Sequence, residues 1–212
     1  MSRCVIFCAA KCSGLIGPIG ENDHVIAADG GLEHTRRFGI EPDEILGDFD
    51  SLGFIPADSR VFPVEKDDTD SMLAVRRGLS LGCNRFLIYG GLDGPRLDHT
   101  IANLQTLQFL ADQGAQGIFV GKSSLATVIS GGCVRFPARS EGLISVFCMG
   151  SDANGVTIQG LQYELSGGTL SAGFPLGVSN HFIGRSSEIS VENGSLLIIY
   201  DRNIGFPEGF LC

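Results

Sequence analysis

The chain has 212 residues, 43% of them hydrophobic, with 30 glycines and a formal net charge of −9. That length supports one large domain or two smaller ones, each with a real core. The acidic balance repels nucleic acid, favours a cationic small molecule and welcomes a divalent metal, while no run approaches the ~18 apolar residues that would span a membrane.

The opening MSRCVIFCAAKCSG imitates a signal peptide only weakly, because Lys11 and the strand-length run Val5-Ile6-Phe7 read as folded structure. Residues 5–10 and 25–28 read as strands, and 32–38 as a short helix opened by Asp29-Gly30-Gly31. Ile45-Leu46 and residues 61–64 are the next two strands. A helix follows over 69–81, with Thr69 or Asp70 placed to cap it. Residues 86–89 form a strand running into Gly90-Gly91. The clearest helix spans 97–113, with Ile101, Leu104, Leu107, Leu110 and Ala111 on one face and Gly114 as its stop. Residues 118–120 close the series, which predicts a parallel sheet covered on both faces.

From about Ser123 helical periodicity vanishes. Short β-rich runs recur at 125–129, 134–136, 143–148, 155–158, 163–165, 188–191 and 196–200. Asn193-Gly194 between the last two is a two-residue hairpin signal. The expected fold is therefore α/β: an N-terminal parallel-sheet domain over 1–124, followed by an all-β sandwich over 125–212, closely joined.

Seven cysteines, at 4, 8, 12, 83, 133, 148 and 212, are odd in number and scattered, which fits reduced thiols in a cytoplasmic protein. Cys4, Cys8 and Cys12 have no nearby His to complete a zinc set and read as buried small hydrophobes.

The chemistry gathers in loops that follow strands, the ligand-binding edge of a parallel sheet. GDFDSL at 47–52 and EKDDTDSM at 65–72 carry two carboxylate pairs, Asp48 with Asp50 and Asp67 with Asp70. Such a density of side-chain oxygens suits a hard cation such as Mg²⁺, bound together with phosphate. Lys66 bridges these acids or meets a phosphate. In GGLDGPRLDHT, Arg96 can fork onto phosphate oxygens or pair with Asp93. Asp98 and His99 open a helix whose N–H groups favour phosphate, and Asp98 can cap that helix as well as act in chemistry. In the second half, FPLGVSNH at 174–181 is too polar and turn-rich for a strand; Ser179 and Asn180 there can bond a heteroaromatic ring, or form an ordinary turn.

With these residues in place, the chain resembles the thiamine pyrophosphokinase family. The matching pieces are ADGG at 28–31, PDEILGDFDS at 42–51, EKDDTD at 65–70, GPRLDH at 94–99 and GVSN at 177–180, in the family's order. The resemblance implies a nucleotide-binding α/β domain, a β-sandwich, and a homodimer holding thiamine between the sandwich of one subunit and the nucleotide domain of the other. It implies transfer of a diphosphoryl group from ATP to thiamine, giving thiamine diphosphate and AMP. Asp48, Asp50, Asp67 and Asp70 would then hold Mg²⁺. Asp29, Gly30, Gly31, Lys66, Thr69, Arg96 and His99 would serve ATP, and Asp98 would orient or deprotonate the hydroxyl. Ser179, Asn180 and Leu176 would meet the vitamin. The chain has no Trp, so Leu176, Phe174 or Phe182 would take the place of an aromatic stacking surface. Two rivals predict different behaviour. A haloacid-dehalogenase-type phosphatase would use Asp48-Phe49-Asp50 as its nucleophile loop, although Leu52 stands where that class wants Thr. A nucleotide- or metal-sensing protein would bind ATP without turnover.

Overall fold

The computed structural model describes residues 3–49, 52–63 and 68–210. Its described strands form one hydrogen-bonded sheet, into which three helices pack. The first half supplies β1 (Arg3–Phe7), β2 (His24–Ala28), α1 (Gly31–Phe38), β3 (Glu44–Gly47), β4 (Arg60–Val61), α2 (Asp70–Ser80), β5 (Arg85–Tyr89), α3 (Leu97–Asp112) and β6 (Gln116–Val120). The second supplies β7 (Ser124–Phe136), β8 (Leu143–Gln159), β9 (Leu165–Leu170), β10 (Gly177–His181) and β11 (Ser187–Asp201). The sheet order is β10-β8-β11-β7-β6-β5-β1-β2-β3-β4, with β9 on β8. Strands β1 to β6 pair in parallel, and every pairing from β6–β7 onward is antiparallel. The fold is thus mixed α/β around a large sheet.

Period-two burial explains why the parallel strands are nearly all apolar. Val5, Phe7, Val25, Leu87, Tyr89, Ile118 and Val120 face one core, and Cys4, Ile6, Ile26, Ala28, Phe86, Ile88 and Phe119 face the other. Helices α2 and α3 cover the second face with Ala74, Val75, Leu107 and Leu110, while Phe38 of α1 packs on the first. The first core runs on into the antiparallel half through Phe136, Ile144, Val146 and Tyr200. Each such large side chain, removed from water, contributes about 1.5–3 kcal/mol before entropy is counted.

Several expected elements differ. The runs at 125–129 and 134–136 are one strand, as are 143–148 with 155–158 and 188–191 with 196–200. Asn193-Gly194 is not a hairpin: both halves of β11 pair with the same neighbours, β7 and β8, and the register merely shifts between Val191 and Ser195. Gly194 takes φ 97°, and positive φ at glycine serves a glycine-type bulge as well as a hairpin turn. Residues 163–165 give way to β9, which begins at Leu165. Residues 177–181 are a strand after all, at the edge of the sheet, with a bulge between Gly177 and Asn180 where Ser179 sits at φ 59°. An edge strand tolerates polar and kinked sequence because one side carries no ladder. On α3 the buried residues are Asn103, Thr106, Leu107 and Leu110, whereas Ile101 is 51% exposed, so the helix is rotated from the apolar face expected of it.

Candidate active site

The chain travels outward from β1 through β2, β3 and β4, then returns to place β5 on the other side of β1. The C-terminal edge between β1 and β5 is therefore a switch point, where loops diverge and leave a crevice. There Ala10 N–H donates to Gly90 O at 3.0 Å, and His34 Nε2 lies 2.8 Å from Ala10 O.

Beside that crevice three carboxylates converge from separate elements. Asp29 leaves β2 at φ 48°, and its N–H donates to Leu46 O on β3 at 2.8 Å. Gly31 opens α1 against β1 so tightly that a Cβ there would lie 1.8 Å from Phe7 O. At the end of β3, Gly47 (φ 152°) passes Asp29 closely: a Cβ would sit 3.0 Å from the Asp29 Cα. That approach brings Asp48 alongside Asp29. Phe49, at φ 62° and 3% exposed, anchors the turn in the core. Asp70 is the first residue of α2, behind the cap Thr69, whose Oγ1 accepts from Met72 N–H at 3.2 Å. Ligand oxygens of Asp29, Asp48 and Asp70 lie within 4.8 Å of one another, Asp29 buried and the other two half-buried.

The sequence pairs Asp48 with Asp50 and Asp67 with Asp70, and the family resemblance gives Asp29 to the nucleotide pocket. The structure unites Asp48 and Asp70 with Asp29 instead; Asp50, Lys66 and Asp67 lie outside the described residues. The ADGG signal was visible, but only the close passage of Gly47 shows that its Asp joins the acids. Burial pushes the neighbouring Cys8 thiol up to about 12, with the charge of Asp70 adding to it, so sulfur stays protonated beside the cluster. The donor set is oxygen.

The loop after β5 approaches from across the switch point. Asp93 accepts from Lys122 N–H at 2.5 Å, which ties this loop to the β6–β7 turn. Arg96 therefore pairs not with Asp93 but with Asp98, at 2.5 Å, both side chains more than 60% exposed. The guanidinium hydrogen bond holds the Asp98 carboxyl below its usual range. Arg96 is the N-cap residue of α3; Asp98 lies within the first turn and does not cap it. His99 beside it is exposed.

The Ser179–Asn180 corner sits on β10, at the opposite end of the sheet order from β2 and β3. Asn180 is buried, and its side chain is engaged with backbone: Oδ1 accepts from Tyr163 N–H and His181 N–H at 2.9 Å each, and Nδ2 donates to Tyr163 O at 2.6 Å. Ser179 is exposed, its N–H donating to Ser145 Oγ at 3.1 Å. Phe174 and Leu176 are 65% and 55% exposed, whereas Phe182 is 2% exposed against Phe136 and has no face to offer a ligand.

Residues 19–119 match the family model described as the thiamin pyrophosphokinase catalytic domain, and residues 134–198 match that family's vitamin B1 binding domain. No curated protein sequence matches the chain. Among solved structures, the thiamine pyrophosphokinase of Bacillus subtilis superposes with a TM-score of 0.82 at 25% identity, covering 95% of this chain and 99% of that one. The Geobacillus thermodenitrificans enzyme gives 0.77 at 25% identity, covering 95% and 97%. Yeast thiamin pyrophosphokinase, at 15% identity and a TM-score of 0.67, shares the fold over 94% of this chain and 86% of its own. The carboxylate edge lies in the part that matches the catalytic domain and the β10 corner in the part that matches the vitamin-binding domain, so the chain belongs to the thiamin pyrophosphokinase family.

Proposed function

We propose that this chain is a thiamine diphosphokinase that moves the diphosphoryl group of ATP onto the hydroxyl of thiamine, releasing AMP, and that it requires Mg²⁺. The observation that carries the reading is the convergence of Asp29, Asp48 and Asp70 within 4.8 Å at a sheet edge that matches the family's catalytic domain. Three oxygen donors beside a protonated thiol fit a hard divalent cation better than zinc or copper. Mg²⁺ held there would neutralise charge on the polyphosphate and polarise its oxygens. Asp50 and Asp67 remain proposed partners of this set.

In the transfer, an oxygen–phosphorus bond forms between the thiamine hydroxyl and the β-phosphorus. The bond from that phosphorus to the α,β-bridging oxygen breaks, AMP leaves with the bridging oxygen, and the hydroxyl proton goes to a base. Positioning and charge neutralisation dominate such a reaction. The N–H groups following Gly30 and Gly31 at the start of α1, together with Thr69, Lys66, Arg96 and His99, bind the nucleotide in this reading. The exposed Arg96–Asp98 pair is weak. Arg96 turning onto phosphate frees the Asp98 carboxylate to accept from the thiamine hydroxyl. Leu176 and Ser179 meet the vitamin, and Asn180 holds the backbone that presents them.

We read residues 1–124 as a parallel-sheet nucleotide-binding domain and 125–212 as a β-sandwich that takes thiamine. The change from parallel to antiparallel pairing after β6 supports this division. So do family matches that fall on either side of it. A homodimer with a shared active site is supported by the sheet order: β10 and β2 lie seven strand steps apart, about 34 Å along the sheet at ~4.8 Å per step. A second subunit brings the two corners together. A cytoplasmic setting is supported by the described cysteines, none of which forms a disulfide. Among the described residues no helix is long and apolar enough to cross a membrane.

A coupled AMP assay tests the reading. Purified protein should form AMP from ATP only with both thiamine and Mg²⁺ present. The Asp48→Asn/Asp70→Asn double variant should stay folded and lose the activity. Near-normal turnover in that variant would remove the metal assignment, and inorganic phosphate released from a monoester without ATP consumption would favour the phosphatase reading.

A further inference from the structure

We propose that Ser71 and Asn103 form a buried positioning relay that sets the carboxylate-bearing start of α2 against the Arg96 loop; the inference rests on the catalytic reading above. Both side chains are nearly enclosed, at 6% and 7% exposure. Asn103 is buried on a face of α3 where periodicity would place an apolar residue.

The polarity of the chain of bonds follows from its ends. Thr69 Oγ1 accepts from Met72 N–H at 3.2 Å and stands 2.9 Å from Ser71 Oγ. Ser71 gives its own proton to Asn103 Oδ1 at 2.7 Å, so the Thr69 hydroxyl donates to Ser71. Asn103 Nδ2 then donates to Gly91 O at 2.8 Å. Turning the amide over would set its oxygen against the Gly91 carbonyl, so that carbonyl fixes the orientation. Bonds running in one direction through a low-dielectric interior reinforce one another.

Each end of the relay lies one step from the chemistry. Thr69 and Ser71 flank Asp70, a member of the carboxylate cluster. Gly91 lies at the root of the loop that carries Asp93 and Arg96 and leads into Asp98 in the first turn of α3. A Cβ on Gly91 would lie 2.2 Å from the Phe119 ring and 3.2 Å from Asn103 Nδ2, so the loop root sits hard against both. The relay therefore couples metal side and phosphate side through two side chains that touch neither ligand. An error of an ångström between two such groups is costly in rate.

The test is a double-mutant cycle on the full-length protein with Ser71→Ala, Asn103→Leu and the pair, plus Ser71→Thr, which keeps the hydroxyl. Expected for each single variant is a kcat for AMP formation lowered about tenfold with KM for thiamine unchanged. The double variant should be no slower than the worse single one, and Ser71→Thr should recover most of the rate. Amide exchange at 90–96, on the far side of the relay, should rise in Ser71→Ala. Wild-type kcat per folded molecule with wild-type exchange at 90–96 would overturn the proposal, even if the melting temperature fell. Multiplicative losses in the double variant would overturn it too. If the wild type forms no thiamine-dependent AMP, the catalytic reading fails and exchange at 90–96 alone decides whether the relay exists.

Discussion

Asn180 separates a structural role from a ligand-binding one. Its carboxamide makes three bonds to backbone, to Tyr163 N–H, Tyr163 O and His181 N–H, clamping residues 161–163 against β10. Truncation in Asn180→Ala removes all three at once. Tyr163 is 61% exposed, so water reaches part of what is freed, and the low end of the usual cost applies, about 1 kcal/mol for each bond. The sum is about 3 kcal/mol, or a fall of about 6–12 °C in melting temperature for a chain of this size. Thermal unfolding checks that figure, and KM for thiamine is measured at a temperature where the variant is fully folded. We expect a large loss of stability with KM changed less than about threefold, below 1 kcal/mol of binding. An unchanged melting temperature with a raised KM would refute the clamp and return Asn180 to direct contact with the vitamin. Ser179→Gly is the companion: relief of the left-handed φ of 59° should raise stability by about 1 kcal/mol.

Three further outcomes are expected. Gly31→Ala should be severely destabilised or insoluble, because its Cβ would lie 1.8 Å from the Phe7 carbonyl oxygen. Gly39→Ala, with φ 67° and nothing within 4 Å, should cost only the ~1 kcal/mol of left-handed strain, and chemical denaturation of the pair checks the contrast. Glu44 accepts from Arg77 at 2.7–2.9 Å, and those bonds hold its carboxyl below the usual range. Because the folded pKa is the lower one, this stabilisation is complete above the unfolded value of about 4.3 and is lost as pH falls through the folded pKa. Glu44→Gln should accordingly flatten the acid limb of the stability–pH curve; a limb of unchanged slope would show that the pair contributes nothing. Asp70→Asn should abolish the stabilisation that Mg²⁺ gives the wild type, which differential scanning fluorimetry with and without Mg²⁺ resolves.

Local chemistry determined much of what the sequence could say. Short apolar runs at 5–10, 25–28, 86–89 and 118–120 mark buried strands, since β1, β2, β5 and β6 are dry on both faces and need no partner's identity to be recognised. The Thr69 cap was legible for the same reason, being a bond between a side chain and a backbone N–H three residues on. Clustered Asp beside Gly marked the ligand edge. Tertiary structure alone decided which acids meet: Asp29 joins Asp48 because Gly47 lets two loops pass within contact, a distance no spacing along the chain encodes. It also decided that Asn193-Gly194 bulges and does not turn, since one backbone conformation serves both and only the strands on either side choose. Asn103, polar in a helix that periodicity made apolar, acquires its meaning from Ser71 and Gly91, which reach it through folding and not through sequence proximity.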